Sequence, residues 1–192
     1  EVADELFPGI FYVREVSSDP RPIIAHIIRI DLDTPGLSFL VTPGESSQGE
    51  AIPARTVSGF REEFGVQLAV NGDFFDVLPS NTDFVRARGL SASRGEIVTD
   101  GYVSLRAYNS LYLSADNRAA FDGPPGGTIY NAISGWQRIV VNGQYIAPRR
   151  VTDRYEFSAQ PRTAYALSAD ARVLLIVQGD GRQPNFSGGV SL

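Results

Sequence analysis

Cysteine, methionine and lysine are absent from the 192 residues, and histidine occurs once; the 17 Lys-plus-Arg positions are all Arg. Without Cys there is no thiol nucleophile, no disulfide and no Cys-ligated zinc or iron–sulfur site. Without Lys there is no Schiff base and no phosphate loop of the G-x-x-x-x-G-K-[ST] type. One His cannot build a multi-histidine metal site, and a Ser-His-Asp triad would have to use His26. The chemistry left to the chain runs on Asp, Glu, Asn, Arg, Ser, Thr, Tyr and backbone amides. The missing Met implies a chain that is processed, trimmed or part of a longer product. No apolar run reaches the length of a membrane span. A net charge of −5 argues against nucleic acid as a partner. A cysteine-free acidic chain fits an extracellular, periplasmic or cell-envelope setting.

What is present is a punctuated, apolar chain. Hydrophobic residues make up 43%, and 19 Gly and 12 Pro cut them into short segments, as in a β-rich domain. Pro8 to Val16 reads as a first strand. Ile23 to Leu32 reads as a second, with Ile24, His26, Ile28, Ile30 and Leu32 on one face and Arg29 and Asp31 on the other. Leu37 to Val41 follows the turn Asp33-Thr34-Pro35-Gly36 and suggests a hairpin. Val57, Phe60 and Phe64 have helical spacing, with Gly65 placed to stop the helix. Val66 to Val70 reads as a buried strand running into Asn71-Gly72. The stretch from Phe84 to Phe121 reads as a β-meander. Asn142-Gly143 predicts a type I′ hairpin over Ile139 to Ile146. Arg162 to Leu167 and Arg172 to Val177 form a further pair. Val173 to Val177 is apolar on both faces and is expected in the middle of a sheet. The predicted class is α+β, with a mixed, mostly antiparallel sheet and few helices, in a single domain over residues 1–192.

Several polar turns are candidates for chemistry, because a turn at a strand end projects side chains from a rigid support. Asn71-Gly72-Asp73-Phe74-Phe75 offers an amide, a carboxylate and rings that could stack on a sugar. Pro161-Arg162-Thr163-Ala164 offers a guanidinium and a hydroxyl for phosphate. Gly179-Asp180-Gly181-Arg182-Gln183 offers a possible general base and a second guanidinium. In Ser134-Gly135-Trp136 the indole could form a carbohydrate platform. Taken singly, the Asn71 and Asp180 turns read first as plain turns. Arg162 reads as a surface cation and His26 as a core histidine, while Trp136 reads equally as a packed ring.

Together and in order, Asn71-Gly72-Asp73-Phe74-Phe75, Ile133-Ser134-Gly135, Pro161-Arg162-Thr163-Ala164 and Asp180-Gly181-Arg182-Gln183-Pro184 with Ser187-Gly188 resemble the phosphodiester glycosidase family. The resemblance spans roughly residues 50–192. It departs from the family where members often have Val-Asp-Gly-Arg and this chain has Gly179-Asp180-Gly181-Arg182. The family also continues beyond the position of Ser191-Leu192 with a helix and an Asp-Gly-Gly-Gly-Ser-type motif. The domain is therefore expected to be incomplete at its C-terminus, with a companion chain as one possible source of that segment.

The resemblance implies a hydrolase that breaks the bond between a sugar anomeric carbon and a phosphodiester, on a GlcNAc-1-phosphodiester-like or other sugar-phosphate substrate. A phosphate monoester is a good leaving group and needs little acid assistance, while the diester anion needs cationic partners. Asp180 is the first choice for the carboxylate that activates water, Asp73 the second, and Asn71 would position sugar or water. Arg162, Thr163, Arg182 and Gln183 would bind substrate, with Gly72, Ser134, Gly135 and Ser187 in the substrate-binding turns. No metal is expected as a requirement, although carboxylates beside phosphate could attract Ca²⁺ or Mg²⁺. The competing expectation is a non-catalytic carbohydrate-binding or structural subunit on the same scaffold.

Overall fold

The computed structural model describes residues 3–45, 50–78, 81–101, 109–146 and 158–191. Its strands are β1 (Asp4–Phe7), β2 (Ile10–Ser17), β3 (Ile23–Asp31), β4 (Ile52–Pro53), β5 (Phe75–Leu78), β6 (Asn81–Ala87), β7 (Leu90–Ser93) and β8 (Glu96–Asp100). They continue as β9 (Asn109–Leu113), β10 (Ala119–Ala120), β11 (Asn131–Gly135), β12 (Val140–Val141), β13 (Gln144–Tyr145), β14 (Arg162–Leu167) and β15 (Val173–Gly179). Helix α1 (Val57–Phe64) lies between β4 and β5. The fold is α+β, strand-rich and antiparallel in every described pairing. The chain forms two compact units, Glu1–Leu37 with Arg138–Leu192, and Ser38–Gln137.

The first unit is built on a five-stranded sheet in the order β1-β2-β3-β15-β14. Alternation along β3 sends Ile24, Ile28 and Ile30 to one buried face, and β15 adds Leu174 and Ile176 to the same face through the pairs Leu174↔Ile30 and Ile176↔Ile28. Leu174 is 1% exposed. Burying a side chain of this size contributes roughly 1.5–3 kcal/mol. The strand expected to be central is indeed interior, flanked by β3 and β14. The Asn142-Gly143 hairpin is also present, with both residues at positive φ (51° and 73°) between β12 and β13.

The second unit holds a five-stranded sheet, β10-β9-β11-β7-β8, and a three-stranded one, β4-β6-β5. Small residues let the strands pack closely: Ala132 faces Ala92 across β11 and β7, and both are buried. Ile52, Ala87 and Val98 form a second buried cluster with Val85 packed against it. Helix α1 begins where the Thr56 hydroxyl accepts from the Gly59 N–H (3.0 Å) and ends at Gly65. Its Phe60 and Phe64 rings form a tilted pair one turn apart, 4.7 Å between centroids.

Three sequence expectations are corrected. The first expected strand is β2, which begins at Ile10 rather than Pro8, because Pro8-Gly9 makes the turn that pairs Phe7 of β1 with Ile10. Gly9 sits at φ +72°, and a Cβ there would fall 1.9 Å from Thr34 Oγ1. Leu37 to Val41 does not pair with β3, because β2 and β15 occupy both edges of that strand. Val66 to Val70 is not a strand. Its alternation half-buries Val66, Leu68 and Val70, yet a strand also needs a neighbouring ladder, and no described strand pairs with it. Residues 102–108 of the expected meander lie outside the described residues.

Side chains replace the missing ladder at the 37–41 segment. The Asn131 amide donates to the Phe39 carbonyl (3.0 Å) and accepts from the Arg94 N–H (2.9 Å), and the Ser93 hydroxyl donates to the Val41 carbonyl (2.7 Å). Asn131 is 1% exposed, so its amide makes both bonds from inside the unit. Replacing Asn131 by Ala is expected to lower the unfolding free energy by about 2–4 kcal/mol, since two backbone groups lose their partner. Urea denaturation checks this, with an unchanged m-value and a lowered midpoint expected.

Candidate active site

In the first unit the turn after β15 carries Asp180. Its backbone N–H donates to the Ile24 carbonyl (2.9 Å), and its carbonyl accepts from the Ser187 hydroxyl (2.7 Å). Ser187 Oγ also accepts from the Ile24 N–H (3.1 Å), so this 0%-exposed hydroxyl staples the turn to the start of β3. Gln183 and Ser187 exchange backbone hydrogen bonds (3.1 and 3.0 Å) that close the 183–187 loop. A Cβ on Gly181 would fall 2.5 Å from the Pro161 nitrogen, so that close approach admits only glycine. At Gly179 a Cβ would meet Val190 at 3.4 Å, an ordinary contact.

The Asp180 side chain is held on one side only. His26 Nε2 lies 3.3 Å from Oδ2, and His26 Nδ1 lies 2.7 Å from the Tyr12 hydroxyl. Among the described residues Oδ1 makes no hydrogen bond. Asp180 is 21% exposed and His26 30% by side chain. Two residues on, Arg182 is exposed with φ 58°, and its Nε donates to Gln160 Oε1 (2.6 Å). The two terminal nitrogens of Arg182 make no hydrogen bond among the described residues. Arg162 is half-buried and turned inward; Nε donates to the Val190 carbonyl (2.9 Å) and Nη2 to the Ser158 carbonyl (3.3 Å). Thr163 is its half-buried neighbour on β14.

In the second unit Asp73 anchors its own turn. The Ser134 N–H on β11 donates to Oδ1 (2.6 Å), and the Ser91 hydroxyl on β7 donates to Oδ2 (2.9 Å). Both partners are buried. Withdrawal from water outweighs these two donors and pushes the Asp73 carboxyl up to about 7. Ser134 spends its hydroxyl inside the sheet, donating to the Leu90 carbonyl (2.6 Å) beside Ser110 Oγ (2.9 Å). Asn71 and Gly72 stand exposed on the turn, and Gly135 is exposed at the end of β11. Phe74 and Trp136 are 40% and 38% exposed, and their rings form a tilted pair at 6.2 Å.

The two turns predicted from residues 71–75 and 134–136 therefore meet, through Asp73 with Ser134 and Phe74 with Trp136. Likewise the first unit gathers Arg162, Thr163, Asp180, Arg182, Gln183 and Ser187 around the β14–β15 end. The sequence reading missed two residues, Tyr12 and His26. His26 does share the apolar face of β3, as expected, but at its polar end. The signal for that role is a register between strands 154 positions apart, which no local pattern carries. Among the described residues no three His, Cys, Asp or Glu side chains converge as a metal-binding group. No described helix is long and apolar enough to cross a membrane.

These features define a strand-rich α+β protein that presents carboxylates, a guanidinium and aromatic rings on tight turns. A sequence model of the phosphodiester glycosidase family matches residues 64–192. The chain belongs to the phosphodiester glycosidase family, and this membership supports a glycosidase-type hydrolase. No curated protein matches the chain.

The raised Asp73 carboxyl has a thermodynamic consequence. The folded chain keeps the proton up to about pH 7, whereas an unfolded carboxyl releases it near its ordinary value of 3.8. The native state thus binds more protons between these limits, and stability falls as pH rises through them. Asp73→Asn is expected to be close to wild type in stability at pH 4 and more stable at pH 8. Denaturation midpoints across that range check it; parallel wild-type and variant curves would refute it.

Proposed function

We propose that the protein hydrolyses a glycosyl-1-phosphodiester, releasing the sugar from a phosphate monoester. The observation that carries this reading is the turn 180–182. Asp180 has one oxygen clamped and the other open, and Arg182 offers terminal nitrogens two residues away on the same rigid turn. A glycosyl phosphodiester asks for this combination. The open Asp180 oxygen takes a proton from water as water attacks the anomeric carbon, and the C1–O bond breaks with its electron pair leaving on the phosphate oxygen. Arg182 balances the phosphate charge, with Gln183 beside it. Arg162 donates to the Val190 and Ser158 carbonyls beside the start of β14, and Ser187 holds Asp180 in place. Independently of that turn, the second unit carries an exposed Phe74–Trp136 pair of the kind that binds carbohydrate, with Asn71 exposed nearby and Asp73 anchoring the 71–75 turn.

A GlcNAc-1-phosphodiester-like compound is the proposed substrate class, on the family resemblance. The test is release of sugar from UDP-GlcNAc and a panel of GlcNAc-1-phosphodiesters. Asp180→Asn is expected to lower kcat by roughly 10²–10⁴-fold. Arg182→Ala is expected to lower kcat/KM by a factor of roughly ten or more, as expected for losing a charge-assisted contact of about 1.5–3 kcal/mol. Because the phosphate leaving group is already acidic, no divalent cation is needed to expel it, and dialysis against EDTA is expected to leave turnover intact. An inert protein across the panel, or variants that match wild type, would overturn the enzymatic reading. The exposed aromatic pair also favours plain carbohydrate binding. Trp136 is the single Trp of the chain, so its fluorescence reports a sugar phosphate directly, and a response without turnover is the mark of that second reading.

A further inference from the structure

The three side chains Tyr12, His26 and Asp180 come from β2, β3 and the turn after β15. The sheet order places these strands side by side, with His26 opposite Arg14 on one neighbour and opposite Gln178 on the other. Asp180 continues the face of Gln178, and Tyr12 continues the face of Arg14. The three groups therefore share one sheet face. They form a continuous chain of contacts, 2.7 Å from the Tyr12 hydroxyl to Nδ1 and 3.3 Å from Nε2 to Asp180 Oδ2.

The hydrogen-bond roles follow from chemistry. An ionised carboxylate only accepts, so Nε2 must carry the hydrogen that it shares with Asp180. In a neutral ring Nδ1 is then an acceptor, and the Tyr12 hydroxyl donates to it. The Asp180 backbone is already pinned by Ile24 and Ser187. The side-chain torsion is the remaining freedom, and His26 is the described side chain that restrains it.

We propose that His26 is a positioning residue for Asp180, with Tyr12 fixing the ring nitrogen that carries the hydrogen. The clamp on Oδ2 fixes the plane of the carboxylate and points Oδ1 away from the ring, toward the water it activates. This inference rests on the reading of Asp180 as the proton acceptor. A misplacement of about 1 Å in such a group can lower a rate by about 10²-fold, so a single clamping hydrogen bond has kinetic weight. A histidine that only filled space in the core would have no such link to Asp180.

The single His makes the test unambiguous, because every imidazole resonance belongs to His26. In wild type, NMR is expected to show one downfield, slowly exchanging N–H on Nε2, lost in Asp180→Ala. In kinetics on the GlcNAc-1-phosphodiester panel, His26→Ala is expected to lower kcat by about 10–100-fold, the scale set by loss of an outer-shell orienting partner. KM should stay within about twofold, since substrate binding is not what is lost. Tyr12→Phe moves kcat in the same direction by less. His26→Gln keeps an N–H donor and recovers part of the loss, which also covers the case in which the Ala variant does not fold. An N–H resonance unchanged by Asp180→Ala, or a His26→Ala variant with wild-type kcat, overturns the proposal. If Asp180→Asn abolishes turnover while the His26 variants do not, the positioning role alone fails. If wild type turns over nothing on the panel, the reading of Asp180 fails first and the positioning role falls with it.

Discussion

The antiparallel register between β3 and β15 is the constraint on which the first unit depends. Seven successive pairs run from Val173↔Asp31 to Gly179↔Ala25. A shift by one residue would turn Leu174 and Ile176 away from the buried isoleucines of β3, so burial locks the register. The same lock sets Gln178 opposite His26 and brings Asp180, two positions further, to the imidazole. The apolar half of the sheet thus fixes the geometry of its polar end. Ser187 completes the arrangement by tying Ile24 and Asp180 through one buried hydroxyl.

The second unit solves a different problem. Its segments at 38–41 and 66–74 run without a β-ladder, and their backbone groups still need partners. Asn131 and Ser93 supply partners to the first, and Asp73 reaches from the second into the sheet at Ser91 and Ser134. The carboxyl is drawn into surroundings that favour its neutral form, and it ties the turn carrying exposed Asn71 and Phe74 to β11, whose end carries Trp136. A polar anchor and the Phe74–Trp136 ring pair together hold that turn against the end of β11.

Much of the fold was legible in the sequence. The alternation of Ile24, Ile28 and Ile30, the Asn142-Gly143 turn, the Gly65 helix stop and the two-sided apolar run at 173–177 each follow from local rules. Extended segments without a partner were not legible. Val66 to Val70 has the composition of a strand, but a strand is a relation between two segments, and the ladder neighbour is absent from the local pattern. The candidate turns were found by their residue types. What each residue does with its groups was not: Arg162 and Ser187 look like ligand contacts in sequence, and in the fold their donors are engaged inside the unit.

The sequence by itself determined the inventory and the class. Without Cys and Lys, and with one His, the chemistry was confined to carboxylates, amides, guanidinium groups and hydroxyls, and short apolar segments cut by Gly and Pro made a strand-rich α+β fold. It also carried the ordered turns that mark the family. Only the tertiary structure decided the company each group keeps. It set His26 beside Asp180 across 154 positions, gave Ser187 to the backbone, and withdrew Asp73 from water. The reason is physical: propensity and periodicity act over a few residues, whereas burial, hydrogen-bond partners and proton affinity are set by neighbours that the chain brings together only when it folds.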